Sequence, residues 1–99
     1  MPTSVKVKDS EVEITISGRF DFSQHKQFRD CYERHDQQAK SYSIDLGCVD
    51  YIDSSALGML LILREHAGGT SARIALKNCS PEVKKLLKIA NFEKLFTIG

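Results

Sequence analysis

The sequence predicts an α/β fold in one domain: a mixed four- to five-stranded sheet with an initial β-hairpin and about three packed helices. Three observations carry this. Apolar residues alternate at period two on both sides of a turn signal near the N-terminus. Further on, period-two segments alternate with segments at helical spacing, the order of parallel crossover units rather than of a bundle or a sandwich. The third is size: 99 residues, 41% hydrophobic and 27% charged, make one ordinary globular domain with a modest core. No repeat, linker or low-complexity stretch divides the chain.

The elements follow in order. Val5 and Val7 alternate with Lys6 and Lys8, Asp9-Ser10 interrupts, and Val12, Ile14 and Ile16 alternate with Glu11, Glu13, Thr15 and Ser17, which reads as a hairpin with one wet face ended by Gly18. From Ser23, a fitting N-cap, Phe28, Cys31, Tyr32 and His35 share one face of a first helix. Tyr42, Ile44 and Leu46 form a third strand running toward the acidic stretch Asp50-Tyr51-Ile52-Asp53. A second helix opens with capping residue types at Asp53-Ser54-Ser55 and closes at Gly68-Gly69. Ala72, Ile74, Ala75 and Leu76 give a fourth strand. Ser80-Pro81 then starts a third helix, N-cap followed by proline in the first turn, with Val83, Leu86, Leu87 and Ala90 on its apolar face. Asn91 is read as a left-handed cap followed by the apolar Phe92, and Phe96 to Ile98 as a short last strand.

Charge and composition exclude several classes of function. Fourteen basic against thirteen acidic side chains leave a net charge of +1, with no single-sign field for a nucleic acid backbone or an anionic membrane, so protein partners are expected. No apolar run fits a signal peptide or a membrane span, and the cytoplasm is the expected location. Cys31, Cys48 and Cys79 are widely separated and without a C-x-x-C pair. They are read as small, mostly buried hydrophobes in a reducing compartment, with neither a disulfide framework nor a metal site. His25, His35 and His66 are scattered, and no nucleophile with an attached base, phosphate loop or cofactor motif is present, so no enzyme, catalytic residue or cofactor is expected. Lys84, Lys85 and Lys88 are read as the solvated face of the third helix, with a patch for an acidic partner as the alternative.

The second helix is the most distinctive segment. With Ser54 at zero and about 100° per residue, Ala56, Met59, Leu60, Leu63 and Ala67 cluster toward the sheet. Gly58, Leu61 and Glu65 fall within about 40° of Ser54 on the opposite strip, and Ser55, turned away, is assigned to capping. On local sequence alone both serines read first as helix caps. A phosphate on a serine in the first turn would meet unpaired N–H groups and the positive end of the helix dipole.

The run Asp45-Leu46-Gly47-Cys48-Val49-Asp50-Tyr51-Ile52-Asp53-Ser54-Ser55-Ala56-Leu57-Gly58 resembles the signature of STAS domains, named for sulfate transporters and anti-sigma factor antagonists. The turn Gly18-Arg19-Phe20-Asp21 and the helix from Ser80-Pro81 to Leu86-Leu87 match the family in the same order, so the resemblance covers nearly the whole chain, read as one STAS domain over residues 1–99. Ala56 replaces the family's usual glycine, and the family's common last helix has no counterpart. The resemblance implies a phosphorylation-controlled partner-switching regulator of the anti-sigma factor antagonist type. Unphosphorylated, it would bind and sequester an anti-sigma factor that is also a GHKL-type serine kinase; phosphorylation of Ser54 would release it, and a PP2C-type phosphatase would reset the cycle. Asp53, Ser54 and Ser55 with Gly58, Leu61 and Glu65 are the expected partner-binding residues. The alternative is an unphosphorylated STAS scaffold or adaptor subunit of a transporter or sensory complex.

Overall fold

The computed structural model describes residues 3–35, 37 and 39–99; the one-domain reading of 1–99 also takes in Met1, Pro2, Asp36 and Gln38, which lie outside the described residues. Strand β1 (Thr3–Lys8) pairs antiparallel with β2 (Glu11–Phe20), Val5 against Ile14 and Val7 against Val12. The reversal between them is carried by Asp9 and Ser10, both left-handed at φ 52° and 68°. Helix α1 (His25–Glu33) leads to β3 (Ser41–Ile52), α2 (Ser54–His66) to β4 (Ile74–Lys77), and α3 (Pro81–Ile89) to the short β5 (Thr97–Ile98). The sheet order is β1-β2-β3-β4-β5, with every pair after the hairpin parallel.

Period two decides which face of the sheet is covered. Val12, Ile14 and Ile16 of β2, Ile44 and Leu46 of β3, and Ile74 and Leu76 of β4 are buried on one face. Glu11, Glu13, Thr15, Ser41, Asp45 and Lys77 alternate with them on the other. Parallel crossovers are right-handed as a rule, and in an unbroken strand order that places their helices on the same side; Phe28, Leu60, Leu63 and Leu87 are among the buried residues they supply. A line of rings ties α1 to its neighbours: Phe20 to Phe28 at 5.5 Å, Phe28 to Tyr32 at 5.5 Å, and Tyr32 to His66 at 4.9 Å.

The elements depart from the sequence reading in instructive places. Gly18 does not end the hairpin. It takes φ 77° inside β2, where a side chain would be strained although nothing crowds it, and the strand continues to Phe20. Ser23 is not a cap: Asp21 caps a 3₁₀ turn over Phe22–Gln24, α1 begins at His25, and His35 lies beyond its last residue, Glu33. The third strand absorbs most of the acidic stretch because it carries two extra residues. Thr15 and Ser17 face Asp45 and Cys48, and Gly18 and Arg19 face Val49 and Tyr51, so β3 gains one residue at each shift. Burial therefore falls on Leu46, Val49 and Ile52, at a spacing of three that hides the strand from a period-two search.

Asp45 supports the first shift by accepting from the Gly47 N–H at 2.9 Å. Cys79 is buried and Cys31 half-buried, but Cys48 is exposed, because the bulge turns it off the packed face. Ser80 caps α3 as expected, accepting from Val83 N at 3.2 Å, and Asn91 is left-handed at φ 61°. Leu86 is 44% exposed and does not belong to the core face of α3, whose buried residues are Val83 and Leu87. The last strand holds only Thr97 and Ile98, Phe96 being buried just before it. Among the described residues no helix is long and apolar enough to cross a membrane.

Candidate functional site

The parallel strands β2 and β3 end side by side, Phe20 paired with Ile52, and each is followed at once by an aspartate. Asp53 is the N-cap of α2. Its Oδ1 accepts from the Ala56 N–H at 3.1 Å and from the Ser55 hydroxyl at 2.6 Å, while its carbonyl accepts the first helical bond from Leu57 at 3.2 Å. Asp21 repeats the motif, Oδ1 accepting from Ser23 N at 3.0 Å and Ser23 Oγ at 2.5 Å. Both carboxyls are held below the usual aspartate range. For Asp53 the Ser55 hydroxyl and then the Ala56 N–H are the causes, and the nearby Asp21 charge acts in the opposite direction. For Asp21 they are the Ser23 hydroxyl and backbone, then Arg19.

Ser55 is thus not the cap it was expected to be. It donates to the cap and half-buries itself, since at the second helical position its hydroxyl reaches back to Asp53. Ser54 precedes it at the first helical position and is exposed, and its hydroxyl makes no hydrogen bond among the described residues. Of the serine pair, one hydroxyl is committed to structure and the other is presented to solvent.

Helix α2 places the remaining predicted residues as the wheel required. Ala56, Met59, Leu60 and Leu63 are buried, and Ala67 packs partly against the core. Gly58 is half-buried with nothing within 4 Å of where a Cβ would stand, Leu61 is 39% exposed, and Glu65 is exposed.

Several residues at this end of the sheet went unassigned in the sequence reading. Arg19 donates to Asp21 at 3.2 Å and lays its guanidinium over the Tyr51 ring at 4.1 Å, bridging the ends of β2 and β3. The buried Gln24 fixes the turn that carries Asp21: it accepts from the Thr3 hydroxyl and donates to the carbonyl of Arg19. Ile62, 54% exposed, widens the outward strip of α2, and its angle of about 80° from Ser54 was the available signal. Asp21 stood in the sequence as the last residue of the Gly18-Arg19-Phe20-Asp21 turn, but its place beside Asp53 could have been found only by carrying β2 past Gly18.

A family model described as "Mlab, STAS domain" matches residues 3–97. A STAS-domain containing protein of Pseudomonas aeruginosa (strain UCBPP-PA14) is 59% identical over 89 residues, covering 90% of this chain and 88% of the relative. Among solved structures, the Bacillus cell fate determinant SpoIIAA in its phosphorylated form superposes with a TM-score of 0.75 at 18% identity, over 98% of this chain and 90% of that one. A sulfate transporter family protein from Wolinella succinogenes gives a TM-score of 0.76 at 16% identity, over 93% and 80%. At such identities the structural likeness speaks for the fold.

Proposed function

The chain belongs to the STAS domain family, and on that premise we propose that it is a phosphorylation-controlled partner-switching regulator of the anti-sigma factor antagonist type, with Ser54 as the phosphorylated residue. The observation that carries this is the division of labour in the serine pair: Ser55 is tied to the Asp53 cap, while Ser54 offers a free, exposed hydroxyl at the first position of α2. A kinase supplies the catalytic groups, ATP and Mg²⁺; this chain supplies a hydroxyl and a surface. Phosphorylation adds a charge of about −1.5 to −2 beside Asp53 and the neighbouring Asp21, which makes an acidic spot. A partner seated over Ser54, Gly58, Leu61 and Glu65 meets that charge as repulsion and desolvation cost. The partner is an anti-sigma factor that is also a GHKL-type serine kinase, the resetting enzyme a PP2C-type phosphatase, and the cycle runs in the cytoplasm. The likeness in fold to SpoIIAA, an anti-sigma factor antagonist with a phosphorylated form, supports this reading.

The test is phosphate mapping by mass spectrometry after incubation with the kinase and ATP, paired with binding measurements. Ser54→Ala is expected to take up no phosphate and to stay bound. Ser54→Glu should weaken binding at least about tenfold, or about 1.4 kcal/mol. Phosphate on Ser55, or wild-type uptake by Ser54→Ala, overturns the assignment. The fold likeness to a sulfate transporter family protein favours a second reading, an adaptor that is never phosphorylated. Partner binding unchanged in both Ser54 variants, with no phosphate on wild type, would select it.

A further inference from the structure

Strand β2 outruns one of its neighbours. On one edge it pairs with β3 as far as Phe20, but on the other β1 reaches only to the Thr3–Ile16 pair, so residues 17 to 20 border no strand there among the described residues. Carbonyls two residues apart on a strand point to the same edge. Those of Ser17 and Arg19 both accept from one group, the side-chain amide of Gln24: its Nε2 donates to Ser17 O at 3.4 Å and to Arg19 O, while its Oε1 accepts from the Thr3 hydroxyl. Gln24 is the N-cap residue of α1, yet its side chain makes no capping bond and turns back to the strand instead.

The residue type matters. Gln24 and Thr3 are both buried, so each polar atom there needs a partner inside the protein. An amide carries two N–H donors and an acceptor on one group. The two carbonyls can only accept, which fixes the end of the amide that faces them; a carboxylate would have no donor to offer. The backbone of the same residue is tied as well, its N–H donating to Asp21 O at 3.1 Å. Gln24 therefore grips the strand just before Asp21 and Asp21 itself. Asp21 in turn stands beside the cap of α2: β2 and β3 end together at the Phe20–Ile52 pair, and the Asp21 charge works against the Ser55 and Ala56 hydrogen bonds that hold the Asp53 carboxyl low.

We propose that Gln24 is a positioning residue of the Ser54 site, its amide standing in for the strand missing beside β2 and so holding Asp21 next to the cap of α2. Through Thr3 the same amide joins the start of the edge strand β1 to the site. The consequence for phosphorylation rests on the reading of Ser54 as the phosphorylated residue; the grip on Asp21 does not.

Carbon-13 NMR titration of the Asp53 carboxyl in the intact chain tests the grip, with circular dichroism confirming that each variant folds. Gln24→Met keeps much of the length and removes the donors. It should lower the Asp53 midpoint by at least about 0.3 unit, because the Asp21 charge moves away. Asp21→Asn should lower it too, and Gln24→Met combined with Asp21→Asn should go no lower than Asp21→Asn alone, since the effect runs through Asp21. Thr3→Val, which removes a single bond, should give a smaller fall in the same direction and carries the test if Gln24→Met does not fold. A contribution to stability alone would leave the midpoint of the folded chain where it is. An unmoved midpoint in both variants, or a fall that adds to that of Asp21→Asn, overturns the proposal. With the kinase, Gln24→Met should raise the KM for this chain about fivefold at unchanged kcat, the mark of lost binding rather than lost chemistry. An unchanged KM beside a shifted midpoint would show that Gln24 positions Asp21 but not the site, and overturns that half. A wild type that takes up no phosphate sinks the reading of Ser54 and the link to the site with it, while the titration still decides whether Gln24 holds Asp21.

Discussion

Asp53 and Asp21 are one device used twice: a carboxylate just past the end of a parallel strand, receiving a serine hydroxyl and a backbone N–H. Because hydrogen bonds to the ionised form lower both native pKa values, the native state gives up these protons more readily than the unfolded chain. Their contribution is present above the ordinary aspartate value of 3.8 and is lost as the pH falls through the lowered native values. Asparagine can still cap but cannot ionise. Asp53→Asn is therefore expected to be less stable than wild type near neutrality and to converge with it on acidification, in denaturant midpoints taken between about pH 7 and about pH 2. Parallel acid limbs would show that the charge on Asp53 contributes nothing. A helix cap at Asp53 was legible from the local order Asp-Ser-Ser before a helix, whereas Ser54 was set apart from Ser55 by the family resemblance, since both serines read locally as caps. Ser55's role was not legible, because choosing between cap and donor needs the position of the Asp53 carboxylate. Asp21 was visible in a motif, but its role as a second cap was hidden by a strand that continues past a glycine.

At the scale of the element, α2 is the part the sequence described best, since more than three helical turns over thirteen residues separate inside from outside without help from the sheet. Leu60 is fully buried and Leu61 39% exposed, so neighbouring truncations should have opposite consequences. Leu60→Ala should cost about 2 to 5 kcal/mol of stability, as cavity-forming substitutions do. Leu61→Ala should change stability by about 0.5 kcal/mol or less and weaken kinase binding by about 1 to 2 kcal/mol. Gly58→Ala, with open space around the new methyl, should raise stability by up to about 1 kcal/mol while obstructing a close partner. Thermal denaturation and titration calorimetry read both quantities, and a Leu61→Ala protein that is destabilised but binds normally would place the interface elsewhere. Helix α3 was read less well. Its period was right, but Leu86 lies at the margin of the apolar stripe, and whether a margin is covered depends on the width of the groove beneath it.

For the whole molecule, alternating strands and helices gave the mixed sheet and its hairpin. They did not give the unbroken strand order or the single helix-covered face, which depend on which edge each crossover chooses. That order bears on how the chain assembles. The three crossovers are of similar length, about 20 residues each, so their closure entropies are alike. The pairing each one gains is not alike: β2 meets β3 from Glu11 to Phe20, whereas β4 and β5 meet only at Ala75–Thr97 and Leu76–Ile98. Pulse-labelled hydrogen exchange during refolding should therefore protect β2 and β3 amides before those of β4 and β5, and simultaneous protection throughout would refute a stepwise order. On the ribosome the same arrangement means that each strand emerges next to the edge it must join. No strand already in place has to be parted to admit a later one, and the growing sheet keeps a single forward edge open until β5 arrives.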